Sequence, residues 1–591
     1  MRSRIIALLG AVVVSLSLVG AAFAEEAQMH VLREAVGVKS YPAAPRIAQQ
    51  SGLDAAVTLA PAVIAVPEEL EAIRVWNAAD RLPARNGFFR ALGDSIKVEL
   101  GAAVASKSGR HGRGVVTTSS RGVAFGTSIR VEKAARLRAQ LENVHLPAGA
   151  VLWVYGSSGE PVAFDASTMD EKRSLWTPSV SGETIYIEVE VGSGETASFE
   201  INRVLELLNA VKIRAGTDDA PTCLVDADVT CAQNASDFPV IANVSKAIGQ
   251  IDIITSSGGG VCSGQLITDQ AQTSTPYFLT ANHCTITTQS VASAIEVFFD
   301  YKYLSCVSSQ ASALPAVRGA TLLSTSATSD YTLLRLNSLP AGRVLLGWNS
   351  AAVVNGTRLH RISHPVPDGA TGPEPQLYSR TIAGNTIGGN CTGAAPPNFV
   401  YSNEKNGGEG GVYGGSSGSA IMLDNGQVVG QLLGSCGPDP AAGCDRRNDT
   451  MDGAFAQTFD AIKQFIAPTT SGNTPCVPNL AAGQVCLVDN RFEVKVTYNG
   501  GSGLKSMTAI KYTGESGLFW FNDAGNIEIL LKMINACSFN QRFWVYAGGT
   551  TDVEVNISVR DSKNGTIKTY QHVRGKPYGT VTDSSAFATC P

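Results

Sequence analysis

The chain has 591 residues, 16% charged and 44% hydrophobic, with 60 glycines, a formal net charge of −5 and a pI near 5.9. That length exceeds a single hydrophobic core and predicts about three or four domains. Low charge with abundant glycine favours turn-rich β-structure, and mild acidity without a basic run excludes nucleic acid or an anionic membrane as expected partners.

Arg2 and Arg4 precede an apolar run from Ile5 to Val19, and Ala22-Phe23-Ala24 supplies small residues for a signal peptidase. This pattern predicts a secretory signal over residues 1–24, cut after Ala24. The run is short of a full membrane span, and no other segment is long and apolar enough to cross. An exported, soluble, monomeric protein, outside the cell or in a periplasm, is therefore expected. Residues 25 to about 112 are rich in alanine, with helix-like pieces such as "PEELEAIRVWNAADRL". From about 113 to 205 the pattern becomes short alternating runs. "AVLWVYGSSGEPVAFD" predicts a hairpin around a Ser-Ser-Gly turn, and "ETIYIEVEVGSG" alternates with period two. A small β-sandwich is expected there. "VKIRAGTDDAPTC" ends that pattern, and its Lys212 and Arg214 mark a processing site.

Residues 215–468 form the next unit, with eight of the twelve cysteines. A Pro/Thr/Gly linker follows at 469–475, within "APTTSGNTP". Beyond it, 476–591 carries strand patterns in "RFEVKVTYN", "FWVYAGG" and "DVEVNISVRDSKNGTIKTYQHV", where Asn564-Gly565 signals a hairpin turn. This last unit predicts a β-sandwich that binds or spaces something, with His572 on a strand surface. Twelve cysteines in an exported chain predict six disulfides. They have no CxxC spacing, so zinc is not expected; no cofactor is expected either, and calcium binding is left open.

The middle unit holds His283, His360 and His364. His283 follows an apolar strand in "YFLTANHC", Asp330 opens the alternating strand "SDYTLLRL", and Ser417 lies in "GGSSGSA". A serine hydroxyl becomes a useful nucleophile when an imidazole takes its proton, and the imidazole needs a carboxylate to fix its tautomer. The serine must also sit on a tight turn whose backbone N–H groups face the developing oxyanion. Gly415 and Ser417 are the expected donors. Ser416 and Ser419 are rivals for the nucleophile, and Asp300 in "VFFDYKY" is a rival carboxylate; the pattern favours Ser417 and Asp330. The order His, Asp, Ser excludes an α/β-hydrolase, whose order is Ser, Asp, His.

"TANHC", "SDYTLLRL" and "GSSGSA" resemble the three signatures of trypsin-like, chymotrypsin-fold serine endopeptidases, most of all the bacterial lysyl endopeptidase group. "CLVDADVTC" and "GQLLGSC" extend the resemblance through the middle unit. It implies an all-β chain, with a double β-barrel flanked by an N-terminal β-sandwich-like pro-region and a C-terminal β-sandwich. It implies His283 as general base, Asp330 as its orienter, Ser417 as nucleophile, and protein or peptide substrates. It also implies disulfides Cys262–Cys284, Cys231–Cys306 and Cys223–Cys436. Cys391 and Cys444 remain and are expected to pair; Cys476, Cys486, Cys537 and Cys590 stay unassigned. Many animal members carry Asp where Ser416 stands, to receive a new N-terminus. Residues 25–214 are instead expected to act as a propeptide that assists folding and blocks the cleft. "CDRRNDTMDGAF" resembles the segment in which lysyl-specific relatives keep the acid that binds a basic side chain. Asp449 is the expected residue, with Asp445 and Asp452 as rivals and Leu432, Leu433 and Gly434 as the pocket wall. His360 and His364 are expected to be structural or rim residues. A non-catalytic binding or adhesion protein on the same fold is the alternative function.

Overall fold

Period-two alternation dominates the chain, and in the computed structural model 49% of residues lie in strands against 11% in helices. The structure describes residues 25–53, 55–79, 81–101, 108–119, 121–157, 160–166, 169, 173–212, 243–303, 310–367, 370–384, 397–403, 411–439, 447–467, 476–500 and 504–590. Linker 469–475, Arg214, Asp445 and Cys223, Cys231, Cys306, Cys391 and Cys444 lie outside them.

The N-terminal sandwich closes two sheets over one apolar core that includes Ile96, Val98, Val154, Ile187 and Ile201. Val151–Tyr155 and Val162–Phe164 pair antiparallel, as the Ser-Ser-Gly turn suggested. The opposite sheet contains a 17-residue strand, Ala84–Leu100, within the stretch expected to be alanine-rich and helix-like. Its Ile96, Val98 and Leu100 alternate inward with under 3% exposure, so burial against the second sheet outweighs local composition. The helix-like motif does form a helix, Pro67–Ala78, opened by proline and Glu68 and Glu69 in its first turn. Ile73 from this helix packs on Phe88 of the long strand.

The middle of the chain forms two barrel-like sheets. In the second, Val428–Cys436, Ala420–Met422, Arg358–Ser363, Leu377–Ala383, Phe399–Asn403 and Asp449–Ala454 pair in sequence, and the last returns to the first. This six-stranded ring is closed. The first is an open half-barrel built around Ile248–Thr255, Gly258–Ile267, Tyr277–Thr280 and Tyr331–Leu336. Its free edge is extended by the N-terminal sandwich: Gly259 pairs with Gly87, Gly260 with Arg85 and Val261 with Ala84. The resulting sheet runs unbroken from sandwich to half-barrel. The all-β expectation holds, with one barrel closed and the other an open half-barrel extended by the N-terminal segment.

Residues at the start of the described chain also reach the barrels. Glu26 and Ala27 pair with Asn349 and Trp348, His30 and Val31 with Leu345 and Val344. Ala27 and Leu32 are part of the barrels' own apolar core. The C-terminal unit is a separate sandwich of two five-stranded sheets over Phe492, Phe519, Val545 and Phe587. Cys476–Cys486 and Cys537–Cys590 staple it. Glu554–Asp561 and Ile567–His572 form its Asn564-Gly565 hairpin. His572 there bonds the Lys576 carbonyl through Nε2 at 2.8 Å.

Candidate active site

Strand Tyr277–Thr280 delivers the chain to a short 3-10 turn, Asn282–Cys284, which carries His283. The turn is pinned by the Cys262–Cys284 disulfide, the pairing the resemblance implied. Asp330 ends the turn before strand Tyr331–Leu336, which pairs with Tyr277–Thr280. It holds His283 twice: Oδ1 accepts the backbone N–H at 2.9 Å, and Oδ2 faces Nδ1 at 2.7 Å. With Nδ1 facing a carboxylate, Nε2 is left as the basic nitrogen. Nε2 is buried and meets no hydrogen-bond partner among the described residues. The His283 side chain as a whole keeps 17% exposure.

Ser417 is anchored through its backbone next to the disulfide that pins the His283 turn. Its carbonyl accepts the Ser263 N–H at 2.8 Å and sits 3.9 Å from Cys284 Sγ, beside His283. The loop is fixed by its glycines. A Cβ placed on Gly418 would lie 2.2 Å from Thr280 Oγ1 and 2.7 Å from Ala281 N, and φ there is 81°. Gly415, at φ 92°, presses on the His364 carbonyl and Val366. Only glycine meets both demands. The N–H groups of Ser416, Gly418 and Ser419 are committed to the carbonyls of Tyr413, Leu432 and Ser416. Those of Gly415 and Ser417 donate to no acceptor among the described residues. The two expected oxyanion donors are thus the two left open.

Beneath the loop, a polar foundation holds it in place. Ser263 Oγ donates to the Gly415 carbonyl at 2.9 Å, and Ser363 Oγ to Ser416 Oγ at 2.9 Å. Arg361 donates to the Ser419 carbonyl and hydroxyl, both at 3.0 Å, and to both oxygens of Asp452 at 2.8 and 3.0 Å. Sequence reasoning missed Ser263 and Arg361, which carry no motif of their own. Ser416 and Ser419 are thereby bonded into this foundation.

The rival residues fall into structural roles. Asp300 is buried between Arg343, at 2.6 Å, and Lys302, at 3.4 Å. His360 bridges Tyr378 Oη at 2.6 Å and Asp424 at 2.7 Å. His364 was expected to be structural or at the rim, and it is wholly buried. It stacks on Tyr301, its N–H donates to Ser263 Oγ, and burial lowers its pKa to about 4. Cys262, His283 and Cys284 put three donor atoms within 4.8 Å of one another, but the two sulfurs are bonded to each other.

The two neighbouring acids of strand Asp449–Ala454 differ by face. Asp452, opposite Leu432, points into the ion pair with Arg361. Burial pushes its carboxyl upward against the pull of Arg361. Asp449 is also buried, and its backbone pairs with Cys436 and Asn403. Its side chain falls by period two on the face of Met451, which packs with Leu433, Phe399 and Tyr401. The fold thus separates Asp449, the expected residue, from its rival Asp452. Cys436 is disulfide-bonded, with its partner outside the described residues.

Residues 217–452 match the family model "Lysyl endopeptidase, C-terminal domain", and 118–202 match "Lysyl endopeptidase N-terminal domain". Together they take in more than half of the chain. The chain belongs to the lysyl endopeptidases. This lysyl endopeptidase relative is accordingly a serine peptidase. Among solved structures it is similar to the active form of the Rv3671c protease from M. tuberculosis, at 15% identity and a TM-score of 0.27. That match covers 44% of this chain and 96% of the other. The inactive form of that protease matches at 15% identity and a TM-score of 0.26, over 42% of this chain and 99% of the other.

Proposed function

We propose that the protein is an exported serine endopeptidase that cleaves after Lys or Arg through an acyl-enzyme, and that Ser417, His283 and Asp330 are its triad. One observation carries the reading: Asp330 grips His283 at both backbone and ring, beside a serine loop whose Gly415 and Ser417 N–H groups are open. In the proposed reaction Ser417 Oγ attacks the scissile carbonyl while His283 Nε2 takes its proton. The carbonyl oxygen becomes an oxyanion facing the two N–H groups. Collapse breaks the C–N bond, and the imidazolium returns the proton to the leaving amine. Water then repeats the sequence on the acyl-enzyme and releases the acid.

Asp449 is the proposed anchor for the basic side chain, beside Leu432, Leu433 and Gly434. The buried Asp452–Arg361 pair supports that choice, because it commits the rival carboxylate elsewhere. Residues 1–24 are the proposed export signal. The N-terminal sandwich is the proposed propeptide, released by cleavage near Lys212 or Arg214. Labelling with a fluorophosphonate after removal of the sandwich tests the centre of the proposal. The expected adduct is at Ser417, and an adduct elsewhere, or none, rejects it. A peptide-library profile should then show Lys or Arg before the cut, lost in Asp449→Ala.

A further inference from the structure

The contact between the N-terminal sandwich and the barrels is not confined to the sheet edge. Leu82 Cδ1 lies 3.6 Å from where a Cβ on Gly434 would stand, on the proposed substrate strand. Pro83 Cγ lies 3.4 Å from the same position on Gly260. Ala84 packs with Val261 and Val366, and Val366 presses on Gly415 in the nucleophile loop. Residues 82–87 therefore run from the proposed pocket wall, past the oxyanion loop, to Gly259. They pair with the half-barrel as a substrate strand would. Ser417 is left with 1% exposure.

The outer edge of this segment is held as well. Asn77, at the end of helix Pro67–Ala78, accepts the Arg85 N–H at 2.8 Å and donates to the Arg85 carbonyl at 2.9 Å. Its side-chain amide thus substitutes for a neighbouring strand. Trp76 Nε1 donates to the Pro83 carbonyl at 2.9 Å. The Trp76 ring also lies under two guanidiniums, Arg85 at 3.7 Å and Arg81 at 5.4 Å from its centroid. Arg81 and Arg85 are the two basic residues of the stretch 81–87. Both are stacked on the sandwich's own tryptophan.

We infer that residues 81–87 are a substrate-like strap for this chain's own active site, and that Trp76 protects the strap from cleavage by holding Arg81 and Arg85 out of the specificity pocket. The inference rests on the proposed preference for Lys or Arg and adds the segment and device by which the sandwich inhibits. A peptide bond is cut only when the preceding side chain reaches the pocket and its carbonyl reaches the oxyanion donors. The strap supplies backbone complementarity without that side chain, so it occupies the cleft and persists. The interaction surface is the Gly259–Val261 edge with Gly434, and its partner is the sandwich of the same chain.

The test follows the full-length chain during self-processing, by intact mass, N-terminal sequencing and hydrolysis of a Lys or Arg peptide. Trp76→Ala should yield new N-termini at Leu82 or Asn86, and activity should appear at least ~10-fold sooner as the strap-docked fraction falls. Trp76→Phe should keep the clamp and stay near wild type. The triple variant Trp76→Ala/Arg81→Gln/Arg85→Gln should recover the slow course. Early cutting in the triple variant, at sites unrelated to Arg81 and Arg85, would mean a loosened sandwich and would overturn the clamp. Unchanged processing in Trp76→Ala overturns it too. The underlying reading is read separately: a profile without Lys or Arg in wild type from which the sandwich has been stripped, or no Ser417 labelling there, sinks that reading and the strap with it.

Discussion

Asp330 adopts φ 49°, the left-handed region that few residues other than glycine and its small polar neighbours occupy. That conformation turns the side chain back so that both oxygens meet His283, one at the backbone and one at the ring. Asp330→Asn retains the shape but offers Nδ1 a donor in place of an acceptor. Hydrolysis should fall by about 10^4-fold in kcat, with KM little changed, in steady-state assays of the sandwich-free enzyme. Gly418 invites a different experiment. Gly418→Ala drives a methyl group into Thr280 and Ala281 at an unfavourable φ, and should cost about 2–5 kcal/mol by urea unfolding. His364 makes the site's foundation sensitive to acid. Its folded pKa, about 4, lies below the unfolded value near 6.5, so the unfolded chain binds the extra proton between those limits. The stability it contributes is full above about pH 6.5 and lost as pH falls to about 4, roughly 3 kcal/mol in all. His364→Gln should flatten the change of urea midpoint over that window.

Strand Asp449–Ala454 shows how an element assigns different work to residues three apart. Its two faces look into different surroundings: Asp452 toward Arg361 and Ser419, Asp449 toward the side of Leu433 and Met451. Asp452→Asn leaves the Arg361 charge buried without its counterion and should destabilise by about 3–5 kcal/mol in denaturant. Asp449→Ala should cost less stability and instead collapse kcat/KM on Lys and Arg peptides. Elements also set what could be read before the fold was known. "TANHC", "SDYTLLRL" and "GSSGSA" are legible because the proposed nucleophile, base and orienter sit on tight local turns that leave a mark in sequence. Arg361 and Ser263 leave none, since any polar residue in a strand looks alike until its neighbours across the barrel are known. The strand Ala84–Leu100 was hidden for a related reason. Its alternating "SIKVEL" end is visible, but its pairing with Gly259–Val261 joins segments far apart in the chain.

Across the whole molecule, charge is buried where the sandwich meets the half-barrel. Arg136 reaches Asp252 at 2.5 Å, Asn86 donates to Asp252 at 3.0 Å, and the Ser179 N–H donates to Glu296 at 3.1 Å. Arg138 lies 3.9 Å and Arg318 3.2 Å from Glu296. Burial alone would raise the Glu296 pKa, but Arg138, Arg318, the Ser179 bond and Arg136 reverse that and hold it at about 2. A carboxyl depressed in the folded state stabilises it above the unfolded pKa near 4.5, and that contribution fades as pH falls through about 2. After a cut in the connection at 213–242, sandwich and barrels should co-elute at pH 7 and separate progressively below about pH 4.5. Glu296→Gln should weaken co-elution at pH 7 and remove most of that pH dependence, as size-exclusion chromatography would show.

The arm at residues 25–32 has a bearing on the order in which the chain can fold. Glu25 and Ser350 exchange hydrogen bonds across a separation of 325 positions, and Gln427 reaches the Ala27 carbonyl across 400. The arm is synthesised first, yet its partners emerge only after the sandwich and the half-barrel have been made. Ala27 and Leu32 must wait for a core that does not yet exist. Contacts of such long range make folding slow, because the loop must close before any of them stabilises it. The finished barrels are thus sealed by residues made well before them, and a peptidase domain produced without that arm would begin with an unfilled seam.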